Sequence, residues 1–216
     1  MIDRIKEKVG TMFTNDEPAA TAEDPKVILV NTGGEGEPEP ELRVVGLYTD
    51  ITEEKVAEVT QALLYLNETN RLKEEDEEKK PIDFYISTYG GNADDMFALY
   101  DIMKEVQKET EIHTIGMGKV MSAGVLLLAG GTPGQRKIGR NCRIMLHSVS
   151  SGNHGDLHNL VNEVEAIQEL QEMYINCLTQ ETKMTKSQVK KMLERKVNVY
   201  LSAEQAVEYG IADRVL

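Results

Sequence analysis

The sequence predicts an α/β domain with a largely parallel sheet. Strand-like and helix-like segments alternate from Leu42 to the C-terminus, as they do when helices connect parallel strands. The chain has 216 residues, 40% of them hydrophobic, which is enough to bury one sizeable core. Glycine turns, "TYGG" and "KVMSAG", follow two predicted strands. Sites in such sheets lie at the carboxyl ends of the strands, so we expect a functional site at these turns.

The first half of the domain alternates regularly. "RVVGLY" predicts a strand, and "TEEKVAEVTQALLYLNE" predicts a helix that Thr52 caps and Glu53 and Glu54 favour. "PIDFYIS" has apolar residues at every second position and predicts the next strand. Asn92 then opens the helix "ADDMFALYDIMKEV", whose apolar residues recur at helical spacing.

The second half continues the alternation. "EIHTIG" predicts a strand, the segment around Ser122 a short apolar helix, and "RIMLH" another strand. A long helix is predicted from about Asp156 to Glu181. Its apolar stripe is broad for a helix that packs on one side, which favours self-association; it comprises Leu157, Leu160, Val161, Val164, Ile167, Leu170 and Tyr174.

The ends and loops of the domain differ in composition from its core. Residues 1–41 are acidic and rich in Pro and Gly, and we interpret them as a flexible extension before a domain of residues 42–216. Within the extension, "VILV" (residues 27–30) is either a strand or a docking segment. The charge block "RLKEEDEEKK" predicts a solvated loop.

Composition also bounds the partners and the compartment. A formal net charge of −13 argues against nucleic acid and anionic membrane, which require a basic face. The N-terminus lacks the apolar core of a secretory signal, and the longest apolar stretch, residues 120–129, is too short to span a bilayer. Cys142 and Cys177 lie in apolar patterns and predict free, buried thiols in a reducing compartment. We therefore expect a cytoplasmic protein.

One group of residues has the composition of an acyl-transfer site. A serine needs a base and oxyanion donors to act as a nucleophile. Ser122 follows a strand and precedes a helix, where the amide of Ala123 points forward; Gly90 and Gly91 allow close backbone approach, and His147 ends a neighbouring strand. Taken singly, each has a simpler explanation: Ser122 is a helix cap, Gly90 and Gly91 form a turn, and His147 is a structural histidine.

The remaining histidines indicate no metal site. His113 lies in a strand, and His154 and His158 lie on a loop and a helix surface. The four histidines show no metal-ligand spacing.

Four longer segments resemble the caseinolytic protease P family, the ClpP peptidases. They are "FYISTYGGNADDMFALYDIM", "IGMGKVMSAGVLLLAGGTPGQR", "RIMLHSVSSGNHGD" and "YLSAEQAVEYGIADRVL", in family order and with family-like spacing from about Leu42 to Leu216. The resemblance implies a protomer of the ClpP/crotonase-like superfold with a protruding handle helix. It further implies a serine endopeptidase that cleaves unfolded polypeptides inside two stacked seven-membered rings, without a cofactor or metal.

The resemblance assigns roles residue by residue. Ser122 matches the nucleophile, His147 the general base, and the amides of Gly91 and Ala123 the oxyanion hole. The segment "SSGNHGD" matches a glycine-rich strand that pairs with extended substrate, and the long helix after it matches the handle. The implied substrate-binding residues are Gly90, Ser151, Gly152, Asn153 and Gly155.

Two features depart from the family pattern. At the position of the triad acid, four residues before the serine of "LSAEQA", the chain has Asn198, which carries no charge to stabilise an imidazolium. Glu194 is an alternative source of charge nearby. The stretch "DPKVILVNTGGEGEPEPELRVVGLY" does not match the family's arm and first helix, which leaves an AAA+ unfoldase or other ClpP subunits as partners open.

Three hypotheses follow. The first is an active endopeptidase with the triad Ser122, His147 and Asn198, whose rate the uncharged Asn198 is expected to reduce. The second is a catalytically weak or inactive regulatory ring subunit. The third, a crotonase-like enzyme acting on thioesters, does not require the serine and histidine pair.

Overall fold

One seven-stranded sheet organises the part of the chain that the structure describes. The computed structural model of the protein describes residues 41–216 other than 75, 153 and 196. The predicted extension, its "VILV" segment and Asn153 thus lie outside the described residues, apart from Glu41, and the division into two domains stays a prediction. The strands of the sheet are β1 (Val44–Leu47), β2 (Ile82–Thr88), β3 (Ile112–Met121), β4 (Lys137–Ile138), β5 (Arg143–Leu146), β6 (Val199–Leu201) and β7 (Arg214–Val215).

The sheet is largely parallel, as predicted. Its order is β1-β2-β3-β4-β7, and β5 pairs with both β3 and β6. All of these pairs are parallel except β5 with β6. The carboxyl ends of β2, β3 and β5 therefore meet at one edge, where the predicted site residues follow them.

Six described helices cover the sheet. Thr52 caps the first through the Lys55 amide, and Asn92 caps the second by accepting from the amides of Asp94 and Asp95, as the sequence predicts. The helices are α1 (Glu53–Arg71), α2 (Ala93–Val106), α3 (Gly124–Ala129), α4 (Leu157–Glu181), α5 (Lys186–Leu193) and α6 (Ala203–Glu208).

β3 is longer than the sequence pattern indicates, and this extension positions the site. The prediction ended the strand at Gly116, but the strand continues to Met121. Ile115 and Gly116 pair with β4, whereas residues 119–121 pair with β5. Gly118, at φ +65°, lies between these two pairings. The glycines thus redirect the strand rather than end it, and its last residue lies beside β5.

The long helix α4 has the predicted bounds, and within the described part of the chain several residues of its apolar stripe are exposed. Tyr174 is buried, whereas Leu157 is 72% exposed, and Val161 and Val164 are also exposed. The C-terminal half packs on the domain and the N-terminal half extends from it. The described part of the chain therefore leaves an apolar face on the N-terminal half of α4.

The described residues contain two free cysteines and no membrane-spanning helix. Cys142 is buried and Cys177 is half-buried, and neither forms a disulfide there. None of the described helices combines the length and the apolar character that crossing a bilayer requires.

A buried ion pair ties the C-terminal segment to the sheet. Arg136 donates from Nε and Nη2 to the two carboxylate oxygens of Asp213, at 2.9 and 2.7 Å. Its Nη1 also donates to the carbonyl oxygens of Ala129 and Glu181. Burial alone would raise the pKa of Asp213, but the hydrogen bonds from Arg136 outweigh it and the pKa lies below its ordinary value of 3.8.

We predict that Asp213→Asn lowers the free energy of unfolding at pH 7 by about 3 kcal/mol, because it leaves a buried guanidinium without its charge partner. The measurement is urea denaturation followed by circular dichroism. Because the folded state depresses the Asp213 pKa, the carboxylate stabilises the fold above its unfolded pKa of about 4. The difference in the free energy of unfolding between variant and wild type should therefore shrink as the pH falls below about 4 toward the lower pKa of the folded state.

The matched control is Glu109→Gln. Glu109 pairs with Lys79 at 2.7 Å, but both side chains are about half exposed. Solvent screens such a pair, so the denaturation midpoint should not change. Equal losses in the two variants would contradict the role given to Asp213.

Candidate active site

Ser122 lies at the edge of the sheet where β2, β3 and β5 end, and its backbone is strained. It follows β3 directly and has φ +54°, the only positive φ among the described non-glycine residues. Such a conformation costs roughly 1–2 kcal/mol for an L-residue. Its amide donates to the Met145 carbonyl at 2.8 Å, and its carbonyl accepts from the Val125 amide at 3.0 Å and from the Tyr174 hydroxyl at 2.9 Å.

Ser122 is not a helix cap. The residue preceding α3 is Ala123, and this helix has no side-chain capping hydrogen bond. The simpler explanation of Ser122 as a cap is therefore wrong, because the left-handed turn directs the side chain elsewhere. Its Oγ is instead 2.8 Å from Nε2 of His147.

His147 reaches Ser122 because of the strand register. Met121 of β3 pairs with Met145 of β5, and the two site residues follow one and two positions later. The imidazole is partly buried at the edge of a cavity that both residues line. A ring nitrogen at this distance is in hydrogen-bond reach of the hydroxyl proton.

The neighbouring pairing places Asn198 opposite the histidine, but among the described residues no hydrogen bond joins the two side chains. Leu146 pairs with Val199, and one further step of this antiparallel register places Asn198 opposite His147. The asparagine is exposed. Among the described residues, no hydrogen bond joins it to the imidazole.

Glu194 does not lie at the cavity of Ser122 and His147. It is the C-cap residue of α5 and is exposed. It lines a separate surface hollow with Lys186, Lys190 and Arg195, not the cavity of Ser122. The carboxylate that the sequence suggested as a source of charge is therefore directed to another surface.

The glycine pair forms a tight turn that also approaches the site. Thr88 Oγ1 accepts from the Gly90 amide at 3.0 Å, and the two glycines have φ +106° and +153°. A Cβ on Gly90 would lie 2.6 Å from the Ser122 Cβ, and one on Gly91 would lie 2.2 Å from the Ile51 carbonyl oxygen. Both positions require glycine, so the turn and the close approach are one feature.

Two backbone amides at the cavity remain available. Within the described residues, the N–H groups of Gly91 and Ala123 donate no hydrogen bond. Both residues line the cavity together with Ser122. Unpaired amides near a hydroxyl are what a developing oxyanion needs.

The cavity beside Ser122 has a volume of about 650 Å³. Its walls come from the start of α2, the residues after β5 and the middle of α4. One part is apolar and suits a hydrophobic side chain; its residues include Met96, Phe97, Ile167, Leu170 and Met173.

The glycine-rich segment after His147 is not a strand here. None of its described residues, 150–152 and 154–156, has strand structure. Ser151 lines the cavity, but Gly152 and Gly155 do not. Among the described residues, no strand pairs with this segment and supplies hydrogen-bond partners for its backbone.

Other reactive groups do not compete with Ser122. Burial raises the pKa of the Cys142 thiol to about 11, so it is protonated at neutral pH. His113 contacts the carboxylates of Glu111 and Asp83, at 3.0 and 3.5 Å. The described residues contain no group of side chains that could hold a metal ion.

Sequence reasoning missed three groups that support the site. The Met145 carbonyl and the Tyr174 hydroxyl contact the Ser122 backbone, and the Thr88 hydroxyl holds the glycine turn. Tyr174 was counted only in the apolar stripe of α4. No sequence pattern marks these contacts, because each joins elements that are distant along the chain.

Comparison with known proteins places the geometry in a family context. The sequence model described as Clp protease matches residues 40–216. The chain is 33% identical over 177 residues to the ATP-dependent Clp protease proteolytic subunit 3 of Frankia casuarinae, covering 81% of this chain and 76% of the relative. It is 32% identical over 176 residues to proteolytic subunit 1 of Tropheryma whipplei strain Twist, covering 81% and 80%.

A similar match is found in Mesostigma viride. The ATP-dependent Clp protease proteolytic subunit of Mesostigma viride is 29% identical over 174 residues, covering 81% of this chain and 71% of the relative.

We predict that Gly90→Ala slows the reaction of Ser122 with a fluorophosphonate probe more than tenfold, because the added Cβ displaces the serine. The measurement is the labelling rate by intact mass. The matched control is Gly134→Ala, at φ +86° with nothing within 4 Å of the added Cβ. Both variants bear backbone strain, but only the first has a clash. Equal labelling rates would contradict the close approach.

Proposed function

Because the chain belongs to the Clp protease family, a family of serine peptidases, we propose that it is the subunit of an endopeptidase that uses Ser122, His147 and Asn198 to cleave unfolded polypeptides. The observation that carries this proposal is the 2.8 Å distance between Ser122 Oγ and His147 Nε2. The pair lies at a cavity large enough for a peptide side chain.

The chemistry is acyl transfer in two stages. His147 Nε2 takes the proton as Ser122 Oγ attacks the scissile carbonyl, and it then protonates the leaving amine. In the second stage water attacks the acyl-enzyme in place of the amine, and the proton transfers through His147 run in the opposite sense. This releases the carboxylic product and regenerates the hydroxyl. The unpaired amides of Gly91 and Ala123 stabilise the oxyanion in both stages.

Asn198 limits the rate in this proposal. An amide can accept the imidazole N–H but carries no charge for the imidazolium that forms during acylation. In serine protease triads, replacing the acid by its amide lowers turnover by about 10⁴, roughly 5 kcal/mol. The exposed position of Asn198 and the lack of a hydrogen bond between it and His147 among the described residues support a site of reduced activity.

The same observation supports a second candidate, a catalytically weak or inactive regulatory subunit. Such a subunit would retain the fold and complete a ring without contributing turnover. The paired serine and histidine, the strained serine backbone and the two available amides favour the peptidase. A crotonase-like activity on thioesters needs only the amides and leaves the pair unexplained.

We propose that the active form is a ring assembly in the cytoplasm, of seven subunits per ring. The exposed apolar residues on the N-terminal half of α4 support self-association, since water-exposed patches of this kind mark interaction surfaces. The relatives' names describe ATP-dependent proteases. An AAA+ unfoldase or other Clp subunits are therefore the proposed partners, along with the unfolded substrate.

The proposal is tested by intact mass after treatment with a fluorophosphonate, on particles sized by sedimentation. We expect one adduct per wild-type subunit and none on Ser122→Ala, because only an activated hydroxyl reacts. Ser87→Ala is the matched control and should label like wild type, since this serine does not line the cavity. An adduct that persists in Ser122→Ala would contradict the nucleophile, and a monomer mass would contradict the ring.

Restoring the acid separates the two candidates. We expect Asn198→Asp to raise the turnover of a fluorogenic peptide at least a hundredfold, because a carboxylate opposite His147 stabilises the imidazolium. The matched control is Asn176→Asp, which adds the same charge at an exposed helix position bonded to Lys186 and should change nothing. No gain over this control would favour the regulatory subunit.

A further inference from the structure

Tyr174 is a buried polar residue that the proposed reaction does not use. It lies in the C-terminal half of α4, 6% exposed, and its hydroxyl donates to the Ser122 carbonyl at 2.9 Å. Burial raises the pKa of this hydroxyl, so it remains an O–H donor at any pH at which the protein works. A buried tyrosine hydroxyl needs such a partner, but this partner is the backbone of the candidate nucleophile.

The Ser122 backbone needs external support. A non-glycine residue at φ +54° persists only where its surroundings hold it. Two backbone hydrogen bonds do so, from its amide to Met145 and to its carbonyl from Val125. Among the described residues, Tyr174 supplies the only side-chain hydrogen bond to this backbone. One neutral hydrogen bond is comparable in size to the strain, so its loss matters.

We infer that Tyr174 is a positioning residue for the proposed peptidase: its hydroxyl holds the Ser122 backbone in the left-handed turn that directs Oγ toward His147. This inference rests on the proposed function for its catalytic consequence. The structural part of the inference does not depend on the proposed function, because the turn at Ser122 exists whether or not the site is active. The bond also links the middle of the site to α4, the helix whose other half extends from the domain.

The test compares Tyr174→Phe with Tyr100→Phe. Both changes remove only a hydroxyl from a buried ring, but Tyr100 donates to Glu181 and does not line the cavity. We expect Tyr174→Phe to lower the maximal rate of fluorophosphonate acylation about tenfold. The half-saturating probe concentration should stay within twofold of the wild-type value. The pH midpoint of the rate should equal that of wild type within experimental error. Tyr100→Phe should acylate like wild type.

A loss of packing alone would give a different result. It would lower the unfolding midpoint of both variants and leave the acylation rate of the folded protein unchanged. Equal maximal rates in Tyr174→Phe and Tyr100→Phe would overturn the inference. So would a tenfold change confined to the half-saturating concentration, which would place the hydroxyl in substrate binding.

Hydrogen exchange keeps the test decisive if the site proves inactive. If wild type forms no Ser122 adduct, the proposed function fails, and exchange at the Val125 amide then decides the positioning role. This amide shares the Ser122 carbonyl with Tyr174. We expect it to exchange about tenfold faster in Tyr174→Phe than in Tyr100→Phe. Equal exchange would overturn the inference independently of activity.

Discussion

The left-handed turn at Ser122 is the constraint on which the site depends. It occurs where β3 ends beside β5, so the same paired backbone that supports the strand also places the serine. His147 follows β5 and arrives on the same side because parallel strands end at the same edge. Glycine at position 90 is required because any larger residue would meet the serine side chain. The active-site geometry is thus mainly a property of the sheet edge.

The family fold and the local chemistry of the site support each other. Ser122, His147 and the amides of Gly91 and Ala123 form a site suited to acyl transfer, within a Clp protease chain. Asn198, the residue proposed at the position of the triad acid, carries no charge and forms no hydrogen bond with His147 among the described residues. Because catalysis depends on stabilising charge as it forms, the missing charge at Asn198 is the reason why the proposed activity is a reduced one.

The long helix α4 connects two levels of organisation. Tyr174, in its buried half, touches the serine backbone, while Leu157 and Val164, in its other half, lie open to solvent. A surface contact on the exposed half would therefore act on the same rigid element that reaches the site. The ring assembly and the catalytic centre, as proposed here, share this one helix.

The sequence alone predicted the α/β class, the parallel strands, the caps at Thr52 and Asn92, and the pairing of Ser122 with His147, because periodicity, capping and motifs are local properties. It placed the end of β3 too early and expected a strand in the glycine-rich segment after His147. Tertiary structure decided these points, because a strand exists only where a neighbour pairs with it. It also decided the contact of Tyr174 with Ser122 and left Asn198 without a hydrogen bond to His147 among the described residues, since both depend on elements that are far apart along the chain.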